Sequence, residues 1–376
     1  LKPLSTGVWL SIRRKANKMN IAILGYGTVG QGVDEIICKS RPDLKVTRVF
    51  DLPTKKDKLK ERFSSVEEIV ADKDIDIVVE CMGGDLIPHL AILSSLQNGK
   101  HVVTSNKETV SKHLEEYLEA AKKNKVTFQY EAAVMGGVPL IAPLTTTSSF
   151  DELISFDGIL NGTCNFILSN MDMLGEDYTK ILKEAQDKGF AERDPSADVL
   201  GIDTKRKIAI IASTCFKEVF DPEEIPCYGI DGITKKMIED AKKEDKTIRL
   251  LGHIHKEKDG YSLYVSPALV KKDSVFGGTL MELNAATASF KNNGVLSFKG
   301  PGAGRYPTAA AIIQDIERIV HGYKMQLEGL TKKATILDRL EGTFVCYEKE
   351  SEAKVVLSNP NANDLKGYKA VIKEIK

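Results

Sequence analysis

What this chain lacks narrows what it can be. Its six cysteines (Cys38, Cys81, Cys164, Cys215, Cys227 and Cys346) include no pair at CxxC spacing. That excludes a zinc ribbon or a redox dithiol of that kind, and a chain of 376 residues has no need of a disulfide framework. A reducing cytoplasmic home is the simplest expectation. No excess charge exists either: Lys plus Arg and Asp plus Glu each number 53. The chain therefore carries no global field to attract nucleic acid or an anionic membrane, and neither is expected as a partner. No apolar run approaches the ~20 residues that span a bilayer. The first residue is not Met, and residues 1–18 lack the apolar stretch of a secretory signal. With Met19 standing directly before the first strand pattern, residues 1–18 are expected to be an extension outside the fold.

What the chain has is a clear alternation. Apolar runs at Ile21 to Leu24, Val46 to Phe50, Ile75 to Val79, His101 to Thr104 and Val126 to Tyr130 alternate with helical periodicities such as Ile87 to Gln97 and Leu114 to Lys123. Strands alternating with helices predict a parallel sheet with right-handed crossovers, so residues 19–150 read as one doubly wound α/β domain. The character changes after Phe150. Segments such as Ile154 to Leu160 and Tyr261 to Val265 interleave with helices over Thr179 to Lys188 and Thr204 to Thr214, which predicts an α+β domain over 151–305. Residues 306–376 are expected to hold a helix (Thr308 to Gly322) that returns to the first domain, then a weakly patterned tail.

Seven features carry chemistry. Gly25-x-Gly27-x-x-Gly30 follows a strand and opens a helix, the context in which glycines let a pyrophosphate approach the backbone. The new helix offers its free N–H groups to the phosphates. Asp51 closes the second strand, where a carboxylate accepts from the ribose hydroxyls of NAD and repels the extra phosphate of NADP; Lys55 and Lys56 nearby offset that repulsion. The plain structural alternative is a strand-end Asp capping a turn. Lys107 stands at the end of another strand, where open α/β sheets bind ligands. Glu131 to Pro139 is a glycine-bearing turn able to aim carbonyls at a hard cation, or simply to cap the next helix.

The stretch Gly189 to Asp198, followed by Gly201 to Lys207, is the most informative. Asp203 and Lys207 are four apart on a helix that turns wholly apolar at Ile208 to Ala212, so they share a face and line a cleft or pair. A Lys between carboxylates can carry the proton of an alcohol, and Glu192 and Asp203 can hold a substrate ammonium. Asn161 to Asn165 offers a rival, in which Cys164 attacks an aldehyde carbon, although no His is near in sequence to activate it. The loop Gly300 to Thr308 either approaches the nicotinamide or forms a crossing between domains.

Together these motifs, from Met19 to about Gly322, resemble the homoserine dehydrogenase family, with Gly189 to Lys207 the most specific block. The resemblance implies a Rossmann-type domain joined to an α+β substrate and dimerisation domain, in a homodimer. It implies interconversion of L-homoserine and L-aspartate 4-semialdehyde with NAD, NADP being possible, on the route to threonine and methionine. Carried over by position, Lys207 matches the proton donor/acceptor, Lys107 a Lys between cofactor and substrate, and Asp198 a supporting acid. Glu192 and Asp203 match the homoserine-binding carboxylates. Thr28, Val29, Gly189 and Gly302 match nucleotide contacts beside Gly25, Gly27, Gly30 and Asp51. Glu131, Val134, Gly136 and Val138 match the positions around a sodium or potassium ion. Two departures stand out: Phe50-Asp51 replaces an Arg that many relatives use for the NADP phosphate, and residues 331–376 are too short for a complete regulatory ACT domain. Two rivals remain, a Cys164-dependent aldehyde dehydrogenase and a non-catalytic dinucleotide sensor. Cys164→Ser separates the first, and the charged set Glu192, Asp203 and Lys207 argues against the second.

Overall fold

In the computed structural model of the chain, residues 18–323, 329–351 and 353–375 are described. The expectation for residues 1–18 therefore lies almost wholly outside them.

Five short strands make the first sheet: β1 (Met19–Leu24), β2 (Leu44–Phe50), β3 (Ile77–Glu80), β4 (His101–Thr104) and β5 (Phe128–Gln129). Their order is β2-β1-β3-β4-β5, and every pairing is parallel. All four residues of β3 and the last four of β1 are buried, as strands covered on both faces must be. Helices Thr28–Ser40, Leu86–Gln97 and Lys107–Asn124 make the crossovers. A later helix, Arg305–Val320, closes the same layer. Its Ala309, Ile312, Ile316 and Ile319 share an apolar cluster with Ile21, Ile23, Val33 and Ile37.

One crossover helix begins earlier than the periodicity predicts. It opens at Lys107 rather than Leu114, because the Asn106 side chain accepts from the Glu108 and Thr109 amides at 3.1 and 3.3 Å. That cap satisfies two of the free N–H groups and starts a helix through a polar first turn that hides its apolar stripe.

The second sheet has eight strands: β6 (Leu153–Ile159), β7 (Lys246–Lys256), β8 (Tyr261–Lys271), β9 (Leu283–Phe290), β10 (Gly294–Pro301), β11 (Thr343–Tyr347), β12 (Lys354–Ser358) and β13 (Ala370–Glu374). The order is β10-β9-β6-β7-β8-β13-β11-β12, antiparallel except where β13 runs parallel to β8. Helix Ile202–Phe216 packs against β7 and is buried along most of its length. The tail thus contributes three strands where the sequence pattern assigns no element. Each is only five residues long, and β12 alternates exposed with half-buried positions, so its apolar signal is faint.

Candidate active site

The charged face of helix Ile202–Phe216 meets the start of helix Lys107–Asn124 from the first domain. Asp203 lies between two lysines: Lys207 Nζ is 2.8 Å from its Oδ2 and Lys107 Nζ is 3.1 Å from its Oδ1. Lys207 also donates to the Leu160 carbonyl at 2.6 Å. Asn161 Nδ2 donates to both Asp198 Oδ1 (2.7 Å) and Asp203 Oδ2 (2.9 Å). Its Oδ1 meanwhile accepts from the Cys164 amide at 2.8 Å, capping helix Gly162–Leu174. One amide thus ends a strand, starts a helix and holds two carboxylates together. A second tie between domains lies alongside, where Arg206 donates to Glu108 at 2.9 Å.

Environment separates the two lysines. Burial pushes the Lys207 ammonium below the ordinary lysine value, with Lys107 adding repulsion and Asp203 opposing. Asp203 dominates at Lys107 and pushes it upward, against partial burial. Asp203 itself sits well below the usual carboxylate range: burial works against its charge, but Lys207 and Lys107 outweigh it. Asp198 is pushed up by burial, which the Asn161 amide only partly offsets, and by Asp203. Two ionisable groups of one type held apart in this way are the arrangement by which sites divide acid/base from binding roles.

At the sheet edge, Gly25 takes φ +92° and a side chain on it would run into the Cys81–Met82 backbone at 2.8–2.9 Å. A side chain on Gly30 would meet the Gly25 carbonyl at 2.2 Å, whereas nothing lies within 4 Å of one on Gly27. The loop is therefore packed hard on its protein side and open on the other, with Gly27 and Thr28 exposed and Val29 half-buried. Gly27 offers the helix no side-chain cap. An open cradle at an uncapped helix start fits a dinucleotide pyrophosphate.

Asp51 does more than await a ribose. Its Oδ2 accepts from the Tyr26 amide (2.6 Å) and Lys55 Nζ (2.8 Å), and its Oδ1 from the Leu52 amide (2.6 Å). Although burial raises its pKa, Lys55 and the amides prevail and hold it below the usual range. Arg62 lies over the Tyr26 ring at 5.6 Å and donates to Asp34 at 2.7 Å.

Other expected residues sit apart from the cluster. Glu192 is exposed on the loop before helix Ser196–Val199, and Gly189 is likewise exposed with φ +77°. Gly302 packs against Asn284, where an added Cβ would meet the amide at 2.1–2.4 Å. Glu131 is buried and serves as a helix cap. Its carboxylate accepts from the amides of Leu140, Ile141 and Ala142 at 2.6–2.9 Å and lies 3.3 Å from Arg318. A carboxylate so occupied does not fit a cation ligand. Val134 and Val138 are buried in the same loop, and Gly136, at φ +53°, would drive a side chain into the Gly302 carbonyl.

The sequence missed three members of the site. Leu160 contributes a backbone carbonyl, which no pattern of side chains reveals. Asn161 carried a signal, an Asn before Gly-Thr at a helix start, but the reading of that motif centred on Cys164. Asn284 donates to the Leu160 carbonyl at 3.1 Å and arrives from β9, far away in sequence. Cys164 itself is fully buried, its thiol donates to the Asp198 carbonyl at 3.1 Å, and burial pushes its pKa well up. A thiol in that state is a poor nucleophile.

A dinucleotide cradle on a parallel sheet, in a domain whose Lys107 joins the buried Asp203–Lys207 pair of a second domain, defines a nicotinamide-dependent oxidoreductase. The comparisons specify which one. Residues 25–131 match the NAD-binding domain of homoserine dehydrogenase, and residues 139–316 match the homoserine dehydrogenase domain. Homoserine dehydrogenase of Bacillus subtilis is 34% identical over 324 residues, covering 83% of this chain and 75% of the relative. The crystal structure of a homoserine dehydrogenase from Thiobacillus denitrificans superposes with a TM-score of 0.84 at 26% identity, covering 95% of this chain and 98% of that one. A hyperthermophilic archaeal homoserine dehydrogenase in complex with NADPH superposes with a TM-score of 0.70 at 26% identity, covering 83% and 99%. The chain belongs to the homoserine dehydrogenase family. Its reaction is the NAD(P)-dependent interconversion of homoserine and aspartate semialdehyde, and neither the thiol-based aldehyde dehydrogenase nor the non-catalytic sensor finds support.

Proposed function

We propose that Lys207 is the proton carrier of this reaction, and the observation behind it is the lysine–Asp203–lysine cluster with its divided environments. When bound, the nicotinamide accepts the hydride from the alcohol carbon of L-homoserine or returns it to L-aspartate 4-semialdehyde. In oxidation the neutral Lys207 amine takes the hydroxyl proton, and in reduction the ammonium gives it back. Burial beside the Leu160 carbonyl makes the neutral form accessible. Lys107, kept charged by Asp203, supplies a fixed positive group between cofactor and substrate. Asp203 and Glu192 receive the substrate ammonium, Glu192 by movement of its exposed loop, and Asp198 supports Asp203 through Asn161.

NAD is the preferred cofactor and NADP is accepted. Asp51 disfavours a ribose phosphate, but Lys55, in contact with it, narrows the margin. Thr28, Val29 and Gly302 line the nucleotide path. A sodium or potassium ion, where one binds, is held by the carbonyls of Val134, Gly136 and Val138 without the Glu131 carboxylate, and no step depends on it. The active form is a homodimer through the second domain, whose edge strand β10 leaves Val295 64% exposed. The free cysteines suit a cytoplasmic setting, in a route towards threonine and methionine.

Initial rates of NADH and NADPH formation from L-homoserine test the assignment. The wild type turns over with both, faster with NAD. Lys207→Ala loses roughly 10²–10⁴-fold in kcat while still binding cofactor. Survival of activity in that variant would move the proton chemistry to Lys107.

A further inference from the structure

In the first domain, two of the chain's six histidines stack against each other. His89, in the first turn and a half of helix Leu86–Gln97, and His113, on helix Lys107–Asn124, have ring centroids 3.8 Å apart at 24°. Glu116 lies three residues beyond His113 on the same helix face. One nitrogen of each imidazole and one Glu116 oxygen all lie within 4.8 Å of one another. From this geometry we propose that His89, His113 and Glu116 form a divalent transition-metal site of the zinc class, clipping the two helices together.

Three features carry the proposal. The donor set, two imidazoles and a carboxylate, suits zinc, with bonds of about 2.0–2.2 Å and water completing a tetrahedron. Such bonds place ligand atoms roughly 3.4 Å apart, so the present spacing needs an adjustment of about an ångström. Glu116 is exposed and supplies part of that adjustment, while the half-buried, stacked histidines must also turn, because near-parallel rings cannot both aim a lone pair at one ion. One supporting hydrogen bond is in place. His89 Nδ1 is hydrogen-bonded at 2.9 Å to the hydroxyl of fully buried Tyr117, leaving Nε2, 3.7 Å from Glu116, to face the ion. Metal-bound histidines are commonly oriented by such a partner on the other ring nitrogen. His113 Nε2 lies 3.4 Å from Asp85, which in turn pairs with Lys112.

The site is separate from the hydride chemistry but mechanically close to it. His113 is six residues along its helix from Lys107, about 9 Å, and Asp85 directly precedes the helix that carries His89. A metal clip here braces the helix that presents Lys107 to Asp203.

The test uses the full chain, loaded with zinc and dialysed, with bound metal measured per chain and Co(II) as the spectroscopic probe. The wild type retains close to one zinc per chain, gives the intense visible bands of tetrahedral Co(II), and melts roughly 5 °C higher with zinc in large excess. Glu116→Gln and His113→Gln lose the retained metal and the bands. Tyr117→Phe, which keeps the ring and removes the hydroxyl tied to His89, weakens zinc binding by about tenfold. Because Glu116 is exposed, its variant folds, and its result stands even if a histidine variant does not. A wild type that retains no zinc, or a Glu116→Gln variant that retains as much as the wild type, overturns the proposal.

Discussion

At the scale of single residues, the site separates two lysines that composition alone cannot distinguish. Both touch Asp203, yet Lys107 is driven up and Lys207 down. A proton carrier for alcohol oxidation must spend time neutral, and burial is what favours Lys207 over Lys107 in the proposed role. The sign follows directly. Homoserine oxidation needs the free amine, so kcat/KM rises with pH to a plateau whose midpoint lies below the ordinary lysine value of 10.5; semialdehyde reduction needs the ammonium and declines through the same window. Lys207→Arg, permanently protonated, should lose oxidation at every pH. An oxidation profile unchanged in that variant would remove Lys207 from proton transfer. Asn161→Ala tests the other shared element. It removes a helix cap, worth roughly 0.5–2 kcal/mol, and releases Asp198 from Asp203. A fall in kcat/KM larger than the loss of thermal stability accounts for would mark Asn161 as a positioning residue, whereas a purely thermal effect would reduce it to a cap. The charged partners were legible in the sequence because Asp203 and Lys207, four apart on a helix that becomes wholly apolar, must pair or line a cleft. Asn161 and Asn284 were not, since an amide's role depends on which oxygens the fold brings within hydrogen-bond reach of it.

Among the elements, the glycine loop and the end of β3 make opposite demands. Gly30 and Gly27 look alike in the motif, but only Gly30 is pressed against the protein. Gly30→Ala should therefore unfold or strongly destabilise the loop. Gly27→Ala should melt within a degree or two of the wild type and raise the KM for the dinucleotide at least tenfold. Equal melting losses in both would contradict the open cradle. At the end of β3, Glu80 is fully buried, accepts from Thr104 Oγ1 (2.5 Å) and the Met82 amide (2.6 Å), and is pushed by burial to about 7. The folded state thus keeps a proton that the unfolded chain, with a Glu near 4.3, releases. Stability from this group is intact below about pH 4.3, falls as pH rises towards 7, and is level above. The stability of Glu80→Gln relative to wild type should accordingly grow across that interval, by up to about 4 kcal/mol, in denaturant titrations at several pH values. A difference that stays constant with pH would mean Glu80 remains ionised. The parallel strands were readable because strands buried on both faces are continuous apolar runs. The start of helix Lys107–Asn124 was obscured by its polar first turn, although Asn106 is a standard cap.

Across the whole molecule, the second sheet owes one of its flanks to residues that the sequence pattern left unassigned. β13 covers the edge of β8 and brings β11 and β12 with it. Beneath them, fully buried Tyr264 packs on Phe344 with ring centroids 5.5 Å apart and donates to the Glu341 carbonyl, beside Leu340, Leu365 and Val371. Without that cover, β8 would present an unpaired edge, and Tyr264 would lose about 2 kcal/mol of burial. Strand β8 is also the hairpin partner of β7 along eleven residue pairs, and β7 supports the helix that carries Asp203 and Lys207. The tail is therefore linked to the lysine–carboxylate cluster through two packed layers. Ending the chain at Leu330 should give a protein that aggregates on expression, or that melts many degrees lower and binds zinc at the histidine pair normally, because the first domain does not rest on this edge. A soluble truncated chain with wild-type melting and wild-type kcat would show instead that β11 to β13 are an appendage, and that β8 is stable as a free edge.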